Sequence, residues 1–208
     1  MRQCDGRTCE QERVGAVLVA AGLSSRMGDF KPLLPFGGTS IARHIVAALK
    51  RAGAGPVVVV TGYRGEELER HLAAPGVRFV RNAHFRETQM FDSVKLGLVE
   101  AASLCGRIAI MPMDVPGIRQ RTLERALAAA GPIVRTMYRG EPGHPIVIDS
   151  RLAARLCAYA GERGLRGALE ESGIPICELQ VEDDGVLKDV DTKEEYRRLL
   201  ASCNQEGL

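Results

Sequence analysis

The residues best suited to chemistry follow the first apolar run of the chain, within Val17 to Pro35, VLVAAGLSSRMGDFKPLLP. Gly22 and Gly28 let the backbone come close to an anion and take conformations closed to other residues. Consecutive backbone N–H groups in such a turn form an anion-binding nest. Arg26 and Lys31 add two cations of the kind that neutralise a triphosphate. Spacing excludes two standard phosphate loops. Gly22 is followed by Leu23 and Ser24, so the run is not G-x-G-x-x-G, and Asp29 follows Gly28 where G-x-x-x-x-G-K-[ST] requires lysine. Two carboxylates, Asp114 in RIAIMPMD and Asp191 in VLKDVD, stand at the ends of other apolar segments. Asp114 also reads as a turn residue before Val-Pro, and Asp191 as the neighbour of a helix cap. No Ser-His-Asp or Cys-His constellation accompanies them. His44 and His71 fall inside helical patterns, and His84 lies in a loop after Asn82.

Those side chains need a frame. Val14 to Ala20 is a continuous apolar run, the pattern of a strand buried on both faces of a parallel sheet. Ser40 to Arg51 carries apolar residues at helical spacing, and Val57 to Thr61 (VVVVT) is a second buried strand. Strands are also expected at Val77 to Val80, Arg107 to Met111 and Pro132 to Thr136. Helices are expected at Glu66 to Leu72, Phe91 to Ala102 and Thr122 to Ala130. This alternation means βαβ units. After Gly140 it changes: His144 to Ile148 reads as a strand with no crossover helix before it, and Arg151 to Tyr159 as a helix. Ile174 to Val181 and Val186 to Val190 flank an Asp-Asp-Gly turn, as a hairpin or as two consecutive sheet edges. Thr192-Lys193-Glu194-Glu195 is a capping box opening the last helix. The chain therefore reads as a polar tail, residues 1–13, and one α/β domain, residues 14–208. Its sheet is mixed but mainly parallel, with helices on both faces. Within that frame Asn82, directly after a strand, can bond a base or ribose. Gly62, ending another, can let a base lie against the backbone.

Composition narrows the function. At 208 residues, with 45% hydrophobic and 26% charged residues, the chain has the ordinary globular mix. Aromatics at 4% and no Trp argue against a stacking platform for single strands, and a net charge of +2 against a nucleic-acid-coating surface. No apolar run approaches the ~20 residues of a membrane span, and MRQCDGRTCEQER has no apolar signal-like core. Six scattered cysteines include no C-x-x-C pair. Cys105, Cys157 and Cys177 sit in apolar surroundings, and Cys4 and Cys9 in the polar tail, a pattern of free thiols in a reducing, cytoplasmic compartment.

Ala20-Ala21-Gly22, Arg26-Met27-Gly28 and Lys31-Pro32 resemble the L-x-A-G-x-x-x-R-M-G-x(n)-K-P signature of nucleotidyltransferases with a GT-A-like Rossmann fold. From about Val14 to Leu200 the chain resembles the molybdenum cofactor cytidylyltransferase group. Met113-Asp114-Val115-Pro116 resembles that group's D-x-P element and Gly143-His144-Pro145 its G-H-P loop. Gly164-Leu165-Arg166-Gly167 resembles its G-x-R-G-like turn and Asp189-Val190-Asp191-Thr192 its D-[IV]-D-T element. The resemblance implies transfer of an NMP group from an NTP to a phosphorylated acceptor, with release of pyrophosphate. Arg26 and Lys31 would hold the triphosphate, beside Ala20, Ala21 and Gly22. Asp114 and Asp191 would hold Mg2+, with Asp189 a weaker ligand. His144 and Arg166 would meet the acceptor. No general base is required, because a phosphate monoester is already an anionic nucleophile. CTP and molybdopterin are the favoured pair, in company with a molybdoenzyme or its maturation factor. A sugar phosphate, methylerythritol phosphate or phosphocholine acceptor is the alternative, as is a catalytically silent nucleotide-binding accessory protein. The related guanylyltransferases carry Leu-Ala-Gly-Gly where this chain has Ala20-Ala21-Gly22, so the methyl of Ala21 is expected to favour CTP over GTP. One segment departs from the pattern: Gln89-Met90-Phe91-Asp92-Ser93 replaces a Gly-Met-Ser-Ser-Ser-like loop.

Overall fold

Residues 13–22 and 28–206 are described in the computed structural model of the chain. The first apolar run forms β1 (Val14–Ala20), buried at all but its first position. A short hairpin, β2 (Pro35–Phe36) and β3 (Thr39–Ser40), leads from the loop into α1 (Ile41–Arg51). Its turn residues, Gly37 and Gly38, have φ of 55° and 76°, which a two-residue hairpin turn of the favoured hand requires. Ser40 caps α1, its Oγ accepting the Arg43 N–H at 3.2 Å. The chain then alternates through β4 (Val57–Thr61), α2 (Gly65–Leu72), β5 (Val77–Arg81), α3 (Met90–Ala102), β6 (Arg107–Pro112) and α4 (Gln120–Ala128). A hairpin follows, β7 (Ile133–Tyr138) and β8 (Glu141–Asp149), then α5 (Ala153–Cys157), α6 (Gly164–Glu171), β9 (Ile176–Gln180) and α7 (Lys193–Glu206).

The sheet order is β5-β4-β1-β6-β8-β7-β9, and β8 alone runs against the other strands. One face packs on Ile41 and Leu49 of α1, Leu68 of α2 and Leu123 of α4; the other packs on Val94 and Leu98 of α3, Leu156 of α5 and Leu169 of α6. This is the expected mixed, mainly parallel sheet with helices on both faces. The chain runs from β1 out to β5 and returns past β1 to β6, so the order reverses between β1 and β6. Crevices that bind ligands in open α/β sheets lie beyond the strand ends at such a point.

Several local expectations need correction. Val186 to Val190 is not a strand: Asp184–Leu187 is a 3-10 helix, and no hairpin forms with β9. The cause is Asp183, whose buried carboxylate accepts the Gly185 N–H at 3.1 Å and the Arg119 N–H at 2.9 Å. It winds the segment back onto the start of α4. Gly164 to Gly167 is the first turn of α6 rather than a free turn. The helix expected over Arg151 to Tyr159 is a 3-10 turn, Ser150–Leu152, followed by the shorter α5. Cys105 is buried, and desolvation pushes its thiol up, but Cys177 is exposed rather than buried. Cys4 and Cys9 lie outside the described residues.

Gly97 sets the distance between α3 and the sheet. A Cβ there would stand 2.4 Å from Val17 Cγ1 and 2.9 Å from Val60 Cγ2, both on buried strands. Alanine is the better helix former by about 1 kcal/mol, but overpacking a rigid core costs typically ~1–3 kcal/mol. At 2.4 Å the clash falls at the upper end of that range, so net of the propensity gain Gly97→Ala is expected to lower stability by about 2 kcal/mol in urea denaturation, with an unchanged m-value. Equal or greater stability would show that α3 can lift off the sheet freely.

Candidate active site

Two short segments meet where the strand order reverses. Val19 accepts the Met113 N–H at 2.9 Å, which carries the β1–β6 ladder one residue beyond β6 and sets Asp114 at the sheet edge. Ala20, Ala21 and Gly22 form the opposite lip of the cleft, with Lys31 and Phe85 on its walls. Lys31 opens a 3-10 turn, Lys31–Leu33, and is only 9% exposed. Its ammonium donates to Asp191 Oδ1 at 2.5 Å and to Asp114 Oδ2 at 3.4 Å. The structure thus brings together the lysine and the two carboxylates expected from the sequence.

Backbone bonds hold Asp191 in place. The Val190 N–H donates to the Asp114 carbonyl at 2.9 Å, tying the two acidic segments together. The expected capping box forms, with the Glu195 N–H on Thr192 Oγ1 at 3.2 Å and Glu195 Oε2 accepting the Thr192 N–H at 2.7 Å. The same oxygen accepts the Asp191 N–H at 2.9 Å, so the box reaches one residue further back. Asp189 does not share a strand face with Asp191, because no strand forms there, yet its charge still acts on Asp114. Burial pushes the Asp114 carboxyl up, against the opposing pull of Lys31, and the charges of Asp189 and Asp191 push it further. Among the described residues, no three His, Cys, Asp or Glu side chains gather as a metal cage. A hard divalent cation needs only one or two carboxylates when waters and phosphate oxygens complete its shell. Asp114 and Asp191, sharing one cation already, fit that demand.

Other expected residues fare differently. Arg26 lies outside the described residues. Gly28 does take positive φ, 75°, whereas Gly22 does not. Gly62 is not open to a base: a Cβ there would stand 2.9 Å from both the Ala21 carbonyl and Phe85, so its missing side chain seats Phe85. The Asn82 carboxamide is 4% exposed and fully used, donating to Thr88 Oγ1 and Ser93 Oγ and accepting the His84 N–H. It shapes the cleft wall instead of reading a nucleotide. Ala21 is 6% exposed and its methyl packs in the cluster beneath α3, so it offers backbone, not bulk, to a base. Phe85, Thr88, Gln89 and Ser93, unassigned from sequence, supply the far wall.

A second cavity of about 560 Å³ joins this cleft through Val19, Gln89, Met90 and Pro112. Its walls include Phe91, Ile110, Ile146 and Leu165, and it holds both expected acceptor residues, His144 and Arg166. Burial drives His144 down to about 4, so its imidazole is neutral at physiological pH and cannot bind a phosphate as a cation. Arg166 stands at the rim, 77% exposed, with Nε on Glu170 Oε1 at 3.0 Å. Arg163 and Arg135 line the same cavity and carried no motif to reveal them.

Residues 16–176 match the MobA-like NTP transferase domain. The chain belongs to that family. It is 27% identical over 187 residues to the molybdenum cofactor cytidylyltransferase of Escherichia coli strain K12, covering 88% of this chain and 93% of that one. It is 29% identical over 198 residues to nicotine blue oxidoreductase of Paenarthrobacter nicotinovorans, covering 90% and 96%. The chain spans less than a third, 31%, of the bifunctional protein GlmU of Solibacter usitatus, to which it is 32% identical over 145 residues. Among solved structures, a nucleotidyl transferase of Methanothermobacter thermautotroptrophicus aligns with a TM-score of 0.81 at 25% identity, over 93% of this chain and 99% of that one. Rv0371c of Mycobacterium tuberculosis, solved as a complex with manganese, aligns with a TM-score of 0.73 at 25% identity, over 91% and 99%. The chain thus carries a nucleotidyltransferase domain, and one solved structure similar to it is a manganese complex. No helix among the described residues is long and apolar enough to cross a membrane.

The raised Asp114 gives a test with a definite sign. A carboxyl whose folded pKa lies above its unfolded one stabilises the fold at low pH, and that contribution is lost as pH rises through the folded pKa. Metal-free Asp114→Asn is therefore expected to melt at or above the wild-type temperature, with an advantage that grows as pH rises above the ordinary carboxylate range and levels off once Asp114 is ionised in the fold. Mn2+ should raise the melting temperature of wild type and leave that of the variant nearly unmoved. Thermal melts with and without Mn2+ decide it; a variant that Mn2+ stabilises as strongly as wild type removes Asp114 from the metal site.

Proposed function

We propose that the chain transfers CMP from CTP to a phosphorylated acceptor, molybdopterin being the favoured one, and releases pyrophosphate. The observation that carries this reading is the Lys31 ammonium shared between Asp114 and Asp191 at the wall of the smaller cleft, which a larger cavity adjoins. Nucleotidyl transfer is an in-line displacement at the α-phosphorus, and its main demand is charge screening and positioning. The cleft against Ala20–Gly22 takes the nucleotide, and Lys31 meets its phosphates. Asp114 and Asp191 hold Mg2+, which when bound screens charge on the phosphate oxygens. The larger cavity takes the acceptor and points its phosphate towards the cleft. No histidine lines the nucleotide cleft among the described residues, and none is needed, because the attacking phosphate is already ionised. The choice of CTP and molybdopterin is supported by the near full-length likeness to a molybdenum cofactor cytidylyltransferase. The product would pass to a molybdoenzyme or its maturation factor.

Pyrophosphate release, measured for CTP, GTP, ATP and UTP against molybdopterin and a panel of sugar phosphates and methylerythritol phosphate, tests the reading. CTP with molybdopterin is expected to be the best pair. Lys31→Ala should lower kcat/KM by about a hundredfold, the scale for losing one preorganised charge contact. Lys50→Ala should leave it unchanged, because that ammonium sits on the exposed Pro75 carbonyl. Ala21→Gly should leave the CTP to GTP ratio unchanged, since the methyl faces the core. No release with any pair would leave only a nucleotide-binding accessory role, and a sugar phosphate outperforming molybdopterin would reassign the acceptor.

A further inference from the structure

Two helices of the chain open with the same device and differ in one bond. At the start of α3, Asp92 Oδ2 accepts the N–H of the cap residue, Gln89, at 2.9 Å. The residue before that cap, Thr88, gives its N–H to the His84 carbonyl at 3.1 Å. At the start of α7, Glu195 Oε2 accepts the N–H of the cap residue, Thr192, at 2.7 Å, and also the N–H of the residue before it, Asp191, at 2.9 Å. A capping box asks only the first of these bonds of the side chain at the third helical position. The second is additional, and it falls on a carboxylate residue of the active site.

Glutamate has one methylene more than aspartate, and here the longer side chain spans two successive amides. The bond completes a run of anchored backbone, because the Val190 N–H already donates to the Asp114 carbonyl at 2.9 Å. Two consecutive amides leading into Asp191 are therefore fixed, one to the other acidic segment and one to α7. The Asp191 carboxylate extends from this anchored stretch to Lys31, 2.5 Å away, on the side where Asp114 stands. Hydrogen bonds from Thr192 and from the Asp191 N–H hold the Glu195 carboxyl below the ordinary carboxylate range, so it serves as an ionised acceptor. The neighbouring residue makes a different contact from the same helical turn: Tyr196 Oη donates to the Pro35 carbonyl at 2.5 Å.

We propose that Glu195 is a positioning residue for the metal site. Its second hydrogen bond fixes the backbone of Asp191, so that the Asp191 carboxylate meets a divalent cation together with Asp114 instead of turning away to solvent. This rests on the assignment of Asp114 and Asp191 as the metal pair.

Mn2+ alone is the probe, its free concentration read by electron paramagnetic resonance in the absence of nucleotide. Wild type is expected to bind it. Loss of a partner that orients a metal ligand typically costs about ten- to a hundredfold in affinity, so Glu195→Ala should weaken Mn2+ binding about tenfold or more. Glu195→Asp separates the two bonds. Aspartate serves the capping box, as Asp92 does in α3, but is too short to span both amides. Its melting temperature should stay near that of wild type while Mn2+ affinity falls about tenfold. Glu195→Gln keeps an acceptor at full reach and should stay within about threefold of wild type, a rescue that a purely electrostatic role would not give. Tyr196→Phe removes a docking bond from the same turn, and should lower the melting temperature and leave Mn2+ affinity unchanged. Four results would each overturn the role of Glu195: no Mn2+ binding by wild type, a Glu195→Asp variant that binds like wild type, a Glu195→Gln variant as weak as Glu195→Ala, or an equal loss in Tyr196→Phe. Mn2+ affinities in the expected order, with no pyrophosphate release from any nucleotide and acceptor pair, would overturn the transferase reading and leave Glu195 in its role.

Discussion

One ammonium holds the site together. Lys31 shares its charge between carboxylates 83 and 160 residues further along the chain, with Asp189 adding to the same negative field. Acids gathered this closely at a partly desolvated sheet edge repel one another, and burial makes each ionised form costly. A cation must therefore sit among them. Removing that cation would leave the acids uncompensated, which is why the arrangement tolerates little freedom in the lysine. The chain supplies that rigidity through backbone bonds: Met113 to Val19, Val190 to Asp114, and Asp191 to the α7 capping box. The lysine side chain then reaches into a place already fixed.

The topology explains why the site has two compartments. The reversal between β1 and β6 opens the nucleotide cleft, and β8, the strand that runs against the rest, borders β6 on its other side. An antiparallel strand there turns the Gly143–Pro145 stretch towards the same end of the sheet as Asp114. The bulge in β8 then lines the second cavity with His144 instead of continuing the ladder. The cavities meet over Val19 and Pro112, the last paired residues of β1 and β6. An in-line displacement at phosphorus brings the nucleophile in opposite the leaving group, and under the proposed reading the acceptor enters from the larger cavity while the nucleotide occupies the cleft beside it.

What was legible in the sequence follows the physics of each signal. Buried parallel strands announce themselves as unbroken apolar runs, so β1 and β4 could be read directly, and the Thr192 capping box marked the last helix. Lys31, Asp114 and Asp191 were legible because they stand in motifs at the ends of apolar segments, and the structure brings the three together. Direction and partnership were not. Val186 to Val190 has the composition of a strand, but a single buried carboxylate, Asp183, coils it into a 3-10 turn. Nothing local announces that Asp183 bonds the backbone 64 residues earlier. Ala21 was placed on the correct lip, but which way its methyl faces is decided by α3, an element with no signal at that position. Arg135 and His144 sit on different strands, and the irregular pairing of β7 with β8 brings both to the wall of one cavity.

The same logic bears on the base. Under the proposed reading, with the Ala21 methyl in the core, selection of the base by size would rest on the wall formed by residues 82–93. That wall behaves as a unit. Asn82 spends both amide protons on Thr88 and Ser93, and Thr88 passes its own to the His84 carbonyl. Gln89 and Asp92 close a capping box at the start of α3. Phe85 is fixed against Gly62 because that residue lacks a side chain. Ser93 accepts from Asn82, which leaves its hydroxyl proton for the cleft it lines. A single hydroxyl donor meets a carbonyl on a purine as readily as one on a pyrimidine, so hydrogen bonding there sets no strong preference. Shape must do so, through the distance between Phe85 and the Ala20–Gly22 backbone. The segment that departs from the related cytidylyltransferases, Gln89 to Ser93, opens α3 beside that wall and is fixed there by its capping box.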